Sequence, residues 1–336
     1  MAVLFATHEA YLDHATGAGH PERPDRLLAA ARGARAATLA GAVSLVAPRP
    51  ATREELARVH PPAFVDAIER FCLAGGGNLD PDTVASPESW EAACLAAGAG
   101  LDAIERLDRG EASAAFCAVR PPGHHAASRR AMGFCLFNNV AVAAAALAER
   151  GERVLVVDID AHHGNGTQDV FYEDPRVAYV SFHQHPWYPG TGAAGERGAG
   201  AGEGLTLNVP LPAGATGDVY LAGFDQLVAP LAERFQPTWL VLSAGFDAHR
   251  DDPLCDLDLS AGDFAALTRR LAALAPPGRR LVLLEGGYDL LALERSVEAC
   301  LAALAGLPSA AGSEEPTHGG PGLEVVTAVR RLHDCA

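Results

Sequence analysis

Positions 153–169 read Arg153-Val-Leu-Val-Val-Asp158-Ile-Asp160-Ala-His162-His163-Gly164-Asn165-Gly-Thr-Gln-Asp169. Asp158, Asp160 and His162 stand two residues apart, so in an extended chain all three project to one side. Two carboxylates and an imidazole on one face suit a divalent metal, and this mixture of oxygen and nitrogen donors suits zinc with one position open. Asp247, in Gly245-Phe-Asp-Ala-His-Arg-Asp-Asp-Pro-Leu254, offers a third ligand beside Asp160 and His162. Adjacent imidazoles in Arg120-Pro-Pro-Gly-His124-His125, in a turn stiffened by two prolines, suit proton transfer beside a metal. Tyr288, after Gly286-Gly287, offers a phenol that can hydrogen-bond an oxyanion. A metal that polarises a carbonyl and acidifies water, an imidazole pair and an oxyanion donor best fit hydrolysis of an amide. A plain acidic turn would explain a lone Asp-x-Asp, but not the His-His-Gly-Asn-Gly that follows it.

Each of these groups must be held by something, and each follows a short apolar run. Residues 154–157, 112–119, 239–243 and 280–284 read as strands buried on both faces of a parallel sheet, whose carboxyl ends are where α/β proteins bind ligands. Residues 3–6, 176–183 and 205–209 add further strands. Helices are expected over 27–39, over 53–60 behind an N-cap at Thr52, over 61–73, over 87–108 behind Ser86, up to Glu149, over 218–235 and over 323–332. This alternation predicts a three-layer α/β/α arrangement around a central, mostly parallel sheet. A catalytic domain is expected over residues 1–306, with 307–336 forming a mobile connection and a terminal helix on or beside it. The loop over 75–87, which contains Asp82, is long enough to carry function. The glycine-rich loop over 190–204 lacks the Lys of a phosphate cradle.

The chain has 336 residues, of which 49% are hydrophobic, enough for a large core, and no apolar run approaches the length of a membrane span. Its first residues lack the basic and apolar regions of a secretion signal, and a cytoplasmic location is the expectation. Seven scattered cysteines, at 72, 94, 117, 135, 255, 300 and 335, form neither a disulfide framework nor a cysteine metal site. The net charge is −16 and every basic residue is Arg. So acidic a chain disfavours nucleic acid as a partner and attracts cationic ligands.

Taken together, Arg120-Pro-Pro-Gly-His-His125, Gly133-Phe134-Cys-Leu-Phe-Asn, the segment from Asp158 to Gln168, Asn208-Val-Pro-Leu, the segment from Gly245 to Leu254 and Glu285-Gly-Gly-Tyr288 resemble the zinc-dependent histone deacetylase family. That family includes acetylpolyamine amidohydrolases and acetoin-utilisation proteins, and the resemblance covers roughly residues 1 to 305. It implies the arginase/deacetylase fold, one catalytic zinc on Asp160, His162 and Asp247, His125 as the main acid/base and His124 as its electrostatic partner. By the same implication Asp158 orients His124, Asn165 stands behind His125, and Tyr288 stabilises the oxyanion. Asn165 marks a class II-like branch, since part of the family has Asp there. Gly133, Phe134 and Tyr188 match the walls of an acyl-lysine tunnel, Leu254 and Gly286 its lining, and Asp82 a clamp on the substrate backbone. A structural potassium site is implied at Asp158, Asp160, His162, Ser181 and Phe182.

The substrate implied is the acylated lysine side chain of a protein or peptide. Relatives specialised for acetylated polyamines can carry an acidic residue at the tunnel mouth where this chain has Leu254, so acetylpolyamine is the alternative. Less favoured are a non-catalytic acyl-lysine reader and a binuclear manganese ureohydrolase, which would need carboxylates where His163 and Asn165 stand. The oligomeric state, a homo-oligomer included, is left open.

Overall fold

The computed structural model describes residues 2–308 and 314–334. Cys335 and the centre of the expected connection, 309–313, lie outside the described residues. In chain order the strands are β1 (Val3–Ala6), β2 (Val43–Val46), β3 (Gly77–Asn78), β4 (Val84–Ala85), β5 (Ala114–Cys117), β6 (Val154–Asp158), β7 (Val177–Gln184), β8 (Thr206–Leu211), β9 (Trp239–Ala244) and β10 (Arg280–Leu284). The α-helices are α1 (Asp25–Ala34), α2 (Arg53–Leu56), α3 (Pro62–Leu73), α4 (Ser89–Asp108), α5 (Asn139–Glu149), α6 (Asn165–Phe171), α7 (Gly217–Gly223), α8 (Ala229–Phe235), α9 (Ala261–Ala272), α10 (Leu290–Ala305) and α11 (Leu323–Asp334).

Eight strands form one sheet in the order β2-β1-β5-β10-β9-β6-β7-β8, and every pairing within it is parallel. Seven of the eight, all but β2, are the strands expected from the apolar runs. β5, β6 and β9 are buried along their whole length, and β10 beyond Arg280, as their mostly apolar sequences require, because helices cover both faces. This is the arginase/deacetylase arrangement of a parallel sheet between two helical layers. Among the described residues no helix is long and apolar enough to cross a membrane.

Several boundaries differ from those read in the sequence. The helix expected over 27–39 ends at Ala34 and gives way to a 3-10 turn at Ala37–Leu39. Gly33, one residue before this end, weakens the helix there, and it also lets α1 pack closely on α10, since a Cβ on it would lie 2.3 Å from the Glu294 carbonyl oxygen. Thr52 does cap its helix through a capping box with Glu55, but α2 is a single turn. The helix behind Ser86 begins only at Ser89, whose hydroxyl accepts the Ser86 N–H at 2.7 Å. Residues 218–235 are not one uniform helix, since Phe224–Val228 form a π turn between α7 and α8. Pro230 has no N–H to donate into the turn before it, and the ladder widens there. The four-residue, half-exposed edge strand β2 and the two-residue pair β3–β4 are too short to be read in advance.

Beyond α10, the described part of the connection is hydrogen-bonded to the body of the domain. Thr317 meets Asp263, and the Gly320 N–H donates to Thr216 Oγ1 at 2.9 Å. Helix α11 buries Val326 and Val329 on the side of α7 and β8.

Candidate active site

The sheet order places the carboxyl ends of β5, β10, β9 and β6 side by side, and the chemically distinctive residues leave from these ends. Pairing continues slightly past the strands, which fixes how the chains diverge: the Ile159 N–H donates to the Ser243 carbonyl at 3.0 Å and the Phe246 N–H to the Gly286 carbonyl at 3.1 Å.

Asp160, His162 and Asp247 come together as expected, each offering one ligand atom, and these atoms lie within 4.8 Å of one another. His162 Nδ1 is 3.1 Å from Asp160 Oδ1 and 3.0 Å from Asp247 Oδ2. Backbone donors fix the carboxylates: Gly286 N–H meets Asp160 Oδ2 at 2.7 Å, and Ala161 N–H meets Asp247 Oδ1 at 2.8 Å. Two carboxylates buried this deeply beside one imidazole form a donor set that suits a divalent cation. Space is kept for one: a Cβ on Gly286 would stand 2.2 Å from Asp247 Oδ2, and one on Gly245 2.1 Å from Asp160 Oδ2. The residues present therefore fit a metal with open positions.

The two imidazoles of the β5 turn lie with centroids 4.0 Å apart and planes tilted by 46°. His124 Nδ1 faces Asp158 Oδ2 at 2.9 Å, and His125 Nδ1 faces Asn165 Oδ1 at 2.8 Å. The Asn165 carbonyl can only accept, so the ring hydrogen of His125 sits on Nδ1 and its Nε2 carries a lone pair. Burial lowers His125, reinforced by His124 and His162, to well below the usual histidine range. His124 is opposite in character. Burial opposes its charge, but the Asp158, Asp160 and Glu285 carboxylates together outweigh that and hold it well above its ordinary value.

Above this floor lies a cavity of about 270 Å³ lined by Asp82, Pro122, His124, His125, Gly133, Phe134, His162, Trp187, Tyr188, Leu254, Gly286 and Tyr288. The structure thus gathers every residue assigned to substrate contact around one opening. The Tyr188 ring stands edge-on to His125, with centroids 5.1 Å apart, and the Phe134 ring edge-on to Tyr288 at 6.0 Å. Phe134 adopts φ 68°, a left-handed conformation that a bulky residue holds only under constraint, and its N–H donates to Thr83 Oγ1 at 3.1 Å. Gly133 before it has no room for a side chain, since a Cβ would come within 2.4 Å of the His125 ring. The Asp82 carbonyl oxygen receives His20 Nε2 at 3.1 Å, and burial, followed by Asp80, raises its carboxyl above the usual range. Burial likewise holds the Tyr288 phenol well above its ordinary value, so it stays protonated and able to donate.

Ser181 pairs in register with Asp158, and its hydroxyl lies 2.9 Å from His183 Nδ1; Phe182 next to it is buried and stacked on Tyr220.

Some groups that build the site were not singled out from the sequence. Arg26 is fully buried beneath the Gly-Gly-Tyr turn, donating to the carbonyls of Gly287 (2.7 Å) and Glu285, with its guanidinium carbon 4.9 Å from the Tyr288 ring centroid. Glu22 bridges Arg26 and Arg120, accepting from Arg26 at 2.9 Å and from Arg120 at 2.5 and 2.8 Å. Glu285, pushed up to about 7 by burial, accepts the Gly123 and His124 N–H groups at 2.7 and 3.1 Å. All three sit in segments already notable for other residues, and a charge inside an otherwise apolar or proline-rich stretch was the available signal. Arg23, three residues before Arg26, instead pairs with Asp25 at the surface.

The comparisons with known proteins agree with this geometry. Residues 20–304 match the histone deacetylase domain model. Histone deacetylase 15 of Arabidopsis thaliana is 44% identical over 293 residues, covering 85% of this chain and 53% of that protein, so the chain spans about half its length. A probable deacetylase of Archaeoglobus fulgidus is 39% identical over 84% of this chain and 80% of its own length. The crystal structure of the HDA15 HD domain superposes with a TM-score of 0.90 at 39% identity, covering 99% of this chain and 94% of that one. The shared fold, the matched domain and these relatives establish that the chain belongs to the histone deacetylase family.

Proposed function

We propose that the protein is a zinc-dependent deacetylase that removes acetyl or other acyl groups from the lysine side chains of proteins or peptides. The observation that carries this reading is a cavity walled by Phe134 and Tyr188 that reaches His162 of the Asp160, His162 and Asp247 cluster, with His125 and Tyr288 also lining it. Phe134 and Tyr188 suit an aliphatic stem, and the floor suits the amide at its end. Residues 1–306 are read as the catalytic domain.

Asp160, His162 and Asp247 would hold the zinc, which when bound supplies a Lewis acid for the amide carbonyl and for water. His125 Nε2, a free lone pair on a neutral ring, takes the proton of the attacking water. Asn165 keeps that ring in the required tautomer, and Asp158 orients His124, whose charge steadies the developing anion. Tyr288 donates its phenol hydrogen to the carbonyl oxygen as it becomes an oxyanion, and Arg26 below keeps the Gly-Gly-Tyr turn in place. The proton then passes from the imidazole pair to the departing lysine nitrogen, leaving acetate and a free amine. Asp82 at the rim accepts a hydrogen bond from the substrate backbone. Asp158, Asp160, His162, Ser181 and Phe182 are read as a potassium site that stiffens the loop beneath the zinc ligands.

The test is turnover of an acetyl-lysine reporter before and after chelation. Activity abolished by chelation and restored by zinc supports the reading; a folded, zinc-loaded chain without turnover overturns it. Two manganese ions per chain would point to the ureohydrolase alternative. His163 argues against that, because Thr191 and Gln168 already engage its nitrogens at 2.7 and 3.0 Å. Acetylated polyamine is the second reading, favoured by the charge of −16, and a tenfold or greater kcat/KM preference for it over an acetyl-lysine peptide would establish it.

A further inference from the structure

The described residues from Glu314 onward lie past the matched domain, which ends at 304, yet they are fastened to the loop that carries Asp247. That loop runs from the end of β9 at Ala244 to the start of α9 at Ala261. It holds three groups of the site. Asp247 faces the candidate metal position, Leu254 lines the cavity, and Asp252 Oδ2 accepts the backbone N–H groups of Tyr288 and Asp289 at 2.6 and 3.2 Å.

His249, fully buried, is the pivot of this loop. Its Nδ1 accepts the Asp251 N–H at 3.1 Å, so the ring hydrogen sits on Nε2, which donates to Glu314 Oε2 at 3.3 Å. Asp251 offers no equivalent anchor, because its own carboxylate is 60% exposed and 3.8 Å away. Glu314 does more than receive this bond. The same oxygen accepts the Ala261 N–H at 3.0 Å, and its other oxygen pairs with Arg295 of α10 at 2.9 Å. Immediately after it, the Glu315 carbonyl accepts the Ser260 hydroxyl at 3.0 Å, and the Thr317 hydroxyl donates to Asp263 at 2.9 Å. Ser260 and Asp263 form the capping box that starts α9. One short segment therefore grips both the middle of the loop and its far end.

We propose that Glu314 is a positioning residue of the active site: through His249 it holds the loop that presents Asp247 to the metal and Asp252 to the backbone of Tyr288. This rests on the roles proposed above for Asp247 and Tyr288. Outer groups that orient a metal ligand change metal affinity or activity by about 10- to 100-fold when removed, and a group acting through one intervening imidazole belongs at the lower end of that range.

The experiment compares full-length Glu314→Ala, Glu314→Gln and Arg295→Ala with the unaltered protein. Amide hydrogen exchange is followed over residues 248–259, where Arg250 N–H meets the Leu259 carbonyl at 2.9 Å and Leu259 N–H the Ala248 carbonyl at 3.1 Å. The rate at which zinc passes to a chelator is read alongside kcat and KM. Glu314→Ala is expected to speed exchange in this loop while leaving β6 and β9 unchanged, and to hasten zinc loss and lower kcat by about tenfold each, with little effect on KM. Glu314→Gln keeps an acceptor for His249 and should recover most of the loss. Arg295→Ala, which removes only a half-exposed partner of Glu314, should behave like the unaltered protein. Unchanged exchange in the loop of Glu314→Ala overturns the proposal, as does faster exchange with normal zinc retention and kcat. If Glu314→Ala does not fold, Glu314→Asp, whose carboxylate is one methylene shorter, is judged by the same readings. An unaltered protein that never turns over acyl-lysine would overturn the function proposed above and leave exchange and zinc release to decide this point.

Discussion

His125 shows how a single residue's neighbours set its chemistry. An amide, not a carboxylate, stands behind it, and burial together with His124 and His162 keeps it neutral, so it remains a base well into the acidic range. Asn165→Asp adds an anion at 2.8 Å from Nδ1, which raises the pKa of His125. The ring is then protonated at higher pH, so the acidic limb of the kcat/KM profile is expected to move upward by about one unit; an unmoved limb would mean that another group is the base. Tyr288→Phe removes one oxyanion donor and is expected to lower kcat by about 10²-fold with substrate binding retained, as measured by steady-state kinetics. Asp160→Ala or Asp247→Ala removes one of the three proposed ligands, and zinc content and turnover should fall together; a variant that keeps one zinc per chain would refute the ligand set. That these residues, the imidazole pair and Tyr288 would gather at one place was legible because their types stand at fixed spacing after apolar runs. Arg26, Glu22 and Glu285 were not, because a buried charge looks like a surface one until its partners are known.

The elements that carry these residues were legible to differing degrees, for a physical reason. Central strands are buried on both faces and betray themselves as uninterrupted apolar runs, so β5, β6, β9 and β10 were found where they are. Their order could not be read, since hydrogen-bonded neighbours such as β5 and β10 lie far apart in the chain and nothing local encodes the pairing. The turn after His125 is likewise fixed from a distance. His60, buried just past α2, accepts the Asn138 N–H on Nε2 at 2.9 Å and faces the Ser128 carbonyl with Nδ1 at 3.1 Å, joining the start of α5 to the loop behind the imidazole pair. Burial lowers its pKa from 6.5 to about 4. A folded-state pKa below the unfolded one means that the unfolded chain takes up the proton first as pH falls. The contribution is thus complete above about 6.5 and is lost progressively down to about 4. His60→Gln cannot titrate, so the stability difference from the unaltered protein, measured by urea unfolding, should shrink steadily across that window. A constant difference from pH 7 to pH 4 would show that His60 does not titrate in this way.

At the scale of the whole molecule, charge and topology act on different parts of function. With a net charge of −16 and Asp82 at the rim of the cavity, a cationic acetyl-lysine peptide should be drawn in electrostatically. Its kcat/KM is expected to fall severalfold between about 0.01 M and about 1 M salt, while an uncharged reporter of the same acyl group changes little; equal salt responses would remove charge from the account of substrate choice. The topology has a consequence for how the enzyme is made. Strand β10 enters the sheet between β5 and β9, so the half containing β2, β1 and β5 joins the half containing β9, β6, β7 and β8 only through it. A ribosome releases residues 280–288 after the other strands of the sheet, and until then the ends of β5 and β9 lack the one strand that pairs with both. Gly286, whose N–H fixes Asp160, emerges with that same strand end. Until that strand end has emerged, the chain therefore lacks the backbone donor that holds Asp160, and the candidate metal seat is unfinished.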